Sequence, residues 1–143
     1  MFKNIVVGTD GSTTADKAVA AAAELARQWG AKLHVVTAQK AASSGMANLA
    51  GAPLLDSGSE NALRQEVANE VGQKAIETWA KGLNAELHGV VGAPADAICD
   101  TAAGVNADLV VVGSKGMRRR VLGSVPNSVT HAAPCAVLIV KTD

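Results

Sequence analysis

The chain has 143 residues, 48% of them apolar and 18% charged, with 13 basic side chains balanced by 13 acidic ones. That apolar share is enough for one core-forming domain over residues 1–143 and too high for a disordered chain, and a formal charge of zero gives no general attraction to nucleic acid or an anionic membrane. Aromatic residues make up 2%, with no tyrosine and one phenylalanine, which excludes the usual base-stacking surface of single-stranded nucleic acid binders.

The opening Met1-Phe2-Lys3-Asn4-Ile5-Val6-Val7-Gly8 has too short an apolar run, and no following cleavage site, for a secretory leader. No stretch reaches the roughly 18 apolar residues of a membrane span. Cys99 and Cys135 form no CxxC pair, and the expectation is a cytoplasmic chain with reduced thiols.

Ile5-Val6-Val7 is a β-branched run closed by Gly8-Thr9-Asp10-Gly11-Ser12, a buried strand followed by a turn. Residues 13–29 place Ala15, Ala18, Val19, Ala22, Leu25, Ala26 and Trp29 at helical spacing, with Gly30 as the stop. With 28 alanines in the chain, helices of small residues can lie close on a sheet. Residues 32–37 read as a second strand. Residues 39–59, rich in Ala, Ser and Gly, read as a long loop, which in a compact domain is either mobile or functional. Residues 60–82 carry Leu63, Val67, Val71, Ala75 and Trp79 four apart, a single apolar helical stripe. Residues 85–91 form a third strand, Pro94 opens a third helix running to about residue 103, and Leu109-Val110-Val111-Val112 is a strand buried on both faces. Ser124 caps a short helix over 125–132, and Ala136 to Val140 is the fifth strand.

Strict alternation of strand and helix implies right-handed crossovers and a three-layer α/β sandwich around a five-stranded parallel sheet. Ligands of such sheets bind beyond the carboxyl ends of the strands, where the strand order reverses. The loops in question are Gly8 to Ser12 and the eleven residues 113–123, against the roughly two to six usual between strand and helix. Gly113, Gly116 and Gly123 let that second backbone approach a ligand, and it ends at a helix N-terminus, which makes it a phosphate site with Lys115 and Arg118, Arg119 and Arg120 nearby. The implied ligand is a nucleotide. GxGxxG after the first strand and the Walker A pattern are both absent, which argues against a dinucleotide and against a conventional P-loop ATPase.

Gly113-Ser-Lys-Gly116, Gly123-Ser124-Val125-Pro126 and His131-Ala-Ala-Pro134-Cys135, together with Ile5-Val-Val-Gly-Thr-Asp10-Gly-Ser12 and Val91-Gly-Ala-Pro94, resemble the landmarks of the universal stress protein family along the whole chain. The resemblance implies a Rossmann-like sheet of order 3-2-1-4-5 and an adenine nucleotide: ATP first, with AMP and cyclic AMP as alternatives and Mg2+ as the ion ATP would carry. It implies that Gly113, Gly116, Gly123 and Ser124 hold phosphates and ribose. Val125 adds a backbone contact, Thr9, Asp10 and Val36 line the adenine side, and Val112 precedes the glycine loop. One departure is the spacer between the second and third glycines, residues 117–122, which is shorter than the family's usual one.

Other readings stand beside these. Asp10 is a nucleotide contact or an Asx turn. The arginines are phosphate contacts or a solvated loop tip. His34, His88 and His131 have structural places, and no His, Cys and carboxylate set has metal-ligand spacing, so no metal site is expected. Cys135 reads as a buried, inert thiol, and Trp29 and Trp79 as helix-face anchors. Phosphoryl transfer needs a metal holder beside a group that positions the nucleophile, and Asp10 has no second carboxylate near it in sequence, so the expectation is binding with at most slow ATP hydrolysis. The fifth strand, apolar and at an edge, predicts a homodimer through Ala136 to Val140. Function is then an adenine-nucleotide-binding stress-response or regulatory protein; the alternative is a dimeric interaction module that binds no nucleotide.

Overall fold

A computed structural model describes residues 1–41, 57–114 and 122–142. The chain runs β1 (Asn4–Gly8), α1 (Thr13–Trp29), β2 (Lys32–Gln39), α2 (Ser57–Trp79), β3 (Ala85–Val91), α3 (Pro94–Gly104), β4 (Leu109–Gly113), α4 (Ser124–Ala132) and β5 (Ala136–Val140). All strand pairs are parallel, in the order β3-β2-β1-β4-β5, as the sequence reading expects. No described helix is long and apolar enough to cross a membrane. The expected loop over 39–59 has its ends inside β2 and α2; residues 42–56 lie outside the described part.

Strand alternation divides the core in two. Ile5, Val7, Leu33, Val35, Leu109 and Val111 face α1 and α2. Val6, Val36, Val110 and Val112 face the other way, onto Ala97, Ile98 and Ala102 of α3 and Val129 of α4. The central strands are buried on both sides, which is why they read as unbroken β-branched runs.

Small residues let the helices sit close to the sheet. In α1 the buried positions are Ala18, Val19, Ala22, Ala23 and Ala26, and Gly30 ends the helix in the left-handed region at φ 63°. Trp29 is only a partial anchor: it stays half exposed, edge-on to Phe2 at 5.8 Å. The stripe expected on α2 is different from the buried one. Leu63 and Val67 are 52% and 45% exposed, and the face on the sheet is Ala68, Gly72 and Ala75. Thr37 donates its hydroxyl to the Ala68 carbonyl there, and a Cβ on Gly72 would stand 3.2 Å from Thr37 Cγ2.

At the amino ends of the strands, Asp108 clips β1 to β4. Its Oδ2 accepts the backbone N–H groups of Lys3 at 2.7 Å and Asn4 at 2.8 Å, which hold the carboxyl below its ordinary range. Cys99 and Cys135 are half-buried rather than buried, and burial pushes both thiols up.

Candidate functional site

β1 and β4 are neighbours, yet the segments that follow them leave the sheet on opposite sides, α1 over one face and α4 over the other. The divergence opens a cavity of about 520 Å3 beyond the carboxyl ends of the strands. This lies within the roughly 300–1,000 Å3 that small-molecule sites occupy. Its walls are Gly8, Thr9, Asp10, Thr14 and Ala15 from β1 and α1, Val36 and Ala38 from β2, Pro94 and Ile98 from α3, Val112 and Gly113 from β4, and residues 122–126. Of the expected site residues, Thr9, Asp10, Val36, Val112, Gly113, Gly123, Ser124 and Val125 all line it. Gly116, with Lys115 and Arg118 to Arg120, lies outside the described residues.

The β1 side is a wound turn. Thr9 N–H donates to the Val36 carbonyl at 3.0 Å, and Thr9 Oγ1 accepts Gly11 N–H at 3.1 Å. Asp10 Oδ1 accepts Ser12 N–H at 2.9 Å, so the Asx turn is present, and the Asp10 carboxylate is exposed on the cavity wall. Gly11 takes φ 79°, a conformation that favours glycine. Ser12 then caps α1 by accepting Ala15 N–H at 3.2 Å. Gly8 has no Cβ because Ile98 of α3 occupies that space and closes the cavity wall.

The β4 side is rooted in the edge strand. Ser114 N–H donates to the Val140 carbonyl at 2.9 Å, Thr142 N–H donates to Ser114 Oγ at 3.1 Å, and Lys17 Nζ donates to the Thr142 carbonyl at 3.0 Å. A Cβ on Gly113 would come within 3.0 Å of Thr142 Cγ2. The helix cap differs from expectation. Gly123 is the N-cap residue, with φ −59° and ψ 162°, and Ser124 is the first helical residue, not the cap. Glycine offers no capping side chain, and Ser124 and Val125, the first-turn residues with N–H groups before Pro126, line the cavity at the positive end of the helix dipole. Among the described lining residues Asp10 carries the only formal charge, and the β2 and β4 walls are aliphatic. The arrangement suits a flat apolar group at Val36, Ala38 and Val112 joined to an anion at Ser124.

A family model described as the universal stress protein family matches residues 1–141. The chain belongs to that family. A universal stress protein of Mycobacterium tuberculosis is 36% identical, over 99% of this chain and 97% of its own length, and one from Bacillus subtilis is 33% identical over 99% and 100%. Among solved structures, a universal stress protein in complex with cAMP is 37% identical with a TM-score of 0.71, covering 99% of both chains. A universal stress protein from Archaeoglobus fulgidus in complex with dAMP is 26% identical with a TM-score of 0.60, covering 97% of this chain and 98% of the other.

This universal stress protein also carries a polar cluster that linear spacing does not reveal. Parallel pairing sets His34 beside Glu86, and His88 follows two residues later on the same sheet face. His34 Nδ1 lies 2.9 Å from His88 Nε2 and 3.9 Å from Glu86 Oε2, and His88 Nε2 lies 3.8 Å from Glu86 Oε1. His34 is buried, and burial first, then the charges of His88 and Lys32, lower its pKa. The signal was a histidine in β2 and a Glu-x-His pair in β3, legible only once the two strands are known to be adjacent. His131 keeps the place expected for it, in the last turn of α4.

Proposed function

We propose that the protein binds an adenine nucleotide in the cavity between β1, β2 and β4, as a regulatory protein of the stress response. The observation that carries this is convergence: residues far apart in sequence line one cavity that has aliphatic walls and a bare helix N-terminus. The relatives with cAMP and dAMP support the same class of ligand. The base rests against Val36 and Val112, Thr9 and Asp10 flank it, and the N–H groups of Ser124 and Val125 take a phosphate. Gly113 and Gly123 allow the close approach, and Gly116 joins them in this reading. Of the helix N-termini at the cavity, those of α1 and α3 begin with a capping Ser12 and with Pro94, whereas α4 begins without a side-chain cap. In this reading a phosphate of the nucleotide is held at α4.

The protein acts as a homodimer in this reading. β5 is an edge strand, with Leu138 38% and Ile139 37% exposed on opposite faces, and pairing with a second β5 about a two-fold axis removes that edge. Because the loop after β4 is hydrogen-bonded to the end of β5 through Ser114, ligand state and dimer edge share a chain of contacts. Calorimetric titration with ATP, AMP and cyclic AMP, beside identification of any nucleotide retained through gentle purification, tests the reading. Saturable binding of at least one of them, abolished by Gly123→Val in a chain that still melts cooperatively, is the expected result. Normal binding by that variant overturns the site. No heat with any nucleotide, from a protein that is dimeric, leaves the non-binding interaction module, which the exposed β5 edge alone would support.

A further inference from the structure

We propose that His34, Glu86 and His88 form a binding site for a divalent transition-metal ion, zinc in the first instance, on the sheet face toward the amino ends of β2 and β3. The proposal is independent of the nucleotide reading. Two imidazole nitrogens bound to one tetrahedral zinc ion at about 2.0–2.1 Å stand roughly 3.3 Å apart. His34 Nδ1 and His88 Nε2 are 2.9 Å apart, so a slight parting of the rings admits the ion. The Glu86 carboxylate hangs over the same point, with one oxygen 3.9 Å from His34 Nδ1 and the other 3.8 Å from His88 Nε2, and all three ligand groups lie within 4.8 Å of one another. A small rotation brings one oxygen to the ion while the other keeps its ion pair with Lys32 Nζ. Two nitrogens and one carboxylate select zinc, copper or nickel over magnesium or calcium, which take oxygen ligands.

The outer contacts set His34 in the tautomer that a metal needs. His34 Nε2 lies 3.3 Å from Asn4 Oδ1, and an amide oxygen can only accept, so Nε2 carries the proton. Nδ1 therefore turns its lone pair toward His88 and Glu86, in the tautomer a metal needs. Without an ion, that lone pair accepts the Nε2–H of His88. When an ion binds, His88 moves its proton from Nε2 to Nδ1 and presents its own lone pair, so the ring stays neutral. His34 is enclosed, with its side chain 3% exposed, whereas His88 at 22% and Glu86 at 47% open the cluster to solvent. Solvent can thus supply the fourth ligand and the ion has a way in.

The test is calorimetric titration of the full chain with Zn2+, and with Co2+ while its visible absorption is followed. The expected result is one ion per chain and the intensified bands of tetrahedral cobalt. His88→Ala and Glu86→Gln each weaken binding at least about 10-fold and remove those bands, Asn4→Ala weakens it by about 10- to 100-fold as outer-shell losses do, and His131→Ala leaves it unchanged. Melting curves without metal show whether each variant is folded; should His88→Ala be unfolded, the half-exposed Glu86→Gln carries the same comparison. Absence of Zn2+ binding, or wild-type affinity and spectrum in either variant, overturns the proposal.

Discussion

Ser124→Asp separates phosphate binding from helix stability, because it should move the two in opposite directions. Ser124 is the first residue of α4, its side chain is exposed, and it lines the cavity. A carboxylate in the first turn favours the helix by about 0.3–1 kcal/mol through the macrodipole, so the unliganded variant should melt at or slightly above the wild-type temperature. The same carboxylate meets a bound phosphate. At about 4 Å, two unit charges repel by about 1 kcal/mol in bulk water and about 4 kcal/mol at a partly shielded surface. That range is about 5-fold to about 1,000-fold in Kd. The assay is a thermal melt with and without AMP. Ligand at about 100 times Kd adds roughly 2.7 kcal/mol, which raises the wild-type midpoint by about 5–10 °C for a chain of this size; at the same concentration the variant should lose from about a third to nearly all of that rise. Adenosine, which has no phosphate, should bind both proteins alike. An AMP-induced shift in Ser124→Asp equal to that of the wild type would refute the assignment of the phosphate to α4.

Three further outcomes are expected. Ile139→Lys puts a charge on the exposed edge strand β5 and should turn a dimer into a monomer by light scattering at about 10 μM; persistence of the dimer would place the contact elsewhere. Ser12→Ala removes the cap that accepts Ala15 N–H and should cost about 1 kcal/mol, seen as a melting point lower by about 2–4 °C. His34 has a folded pKa below its ordinary 6.5, so near and below that pH the unfolded chain takes up a proton the folded one resists. Stability from this source is fully present above 6.5 and is lost as pH falls through the lower, folded value, whereas the Asp108 and Glu86 carboxylates, also held low, add their loss only at more acid pH. Urea midpoints between pH 7 and 5 should therefore decline more steeply for the wild type than for His34→Gln, and equal slopes would contradict the burial argument.

The sheet was legible because its central strands are buried on both faces and therefore consist of unbroken runs such as Ile5-Val6-Val7 and Leu109 to Val112. Most of the cavity was legible for a related reason: the topology fixes where the strand order reverses, and the glycines mark where backbone must come close. The α2 stripe was misread for a geometric reason. Residues four apart advance by about 40° on a helix of 3.6 residues per turn, so the series from Leu63 to Trp79 winds well round the axis. The sheet instead buries Ala68, Gly72, Ala75 and, in part, Trp79, spaced four, three and four, a face of mostly small side chains that carries little hydrophobic signal. The exchange of Ser124 for Gly123 at the cap came from neighbours that are both acceptable there, so backbone angles decide and composition does not. The histidine cluster was out of reach because its members meet through strand register, 54 residues apart.

The same register places the two proposed sites on one sheet face. Along β2 the residues Lys32, His34, Val36 and Ala38 point to one side, the first two toward the amino end of the strand and the last two toward the cavity. In a parallel sheet joined by helices, every helix runs against the strands. Helix N-termini, with their positive ends, therefore gather at the carboxyl edge, and helix C-termini, with their negative ends, gather at the amino edge. The α4 N-terminus stands beside the cavity at the first edge, whereas His34, Glu86 and His88, with Lys32, converge nearer the second. In the two proposed readings, side-chain chemistry at each end selects the ligand: N–H groups and aliphatic walls for a nucleotide, imidazole lone pairs and one carboxylate for a transition metal.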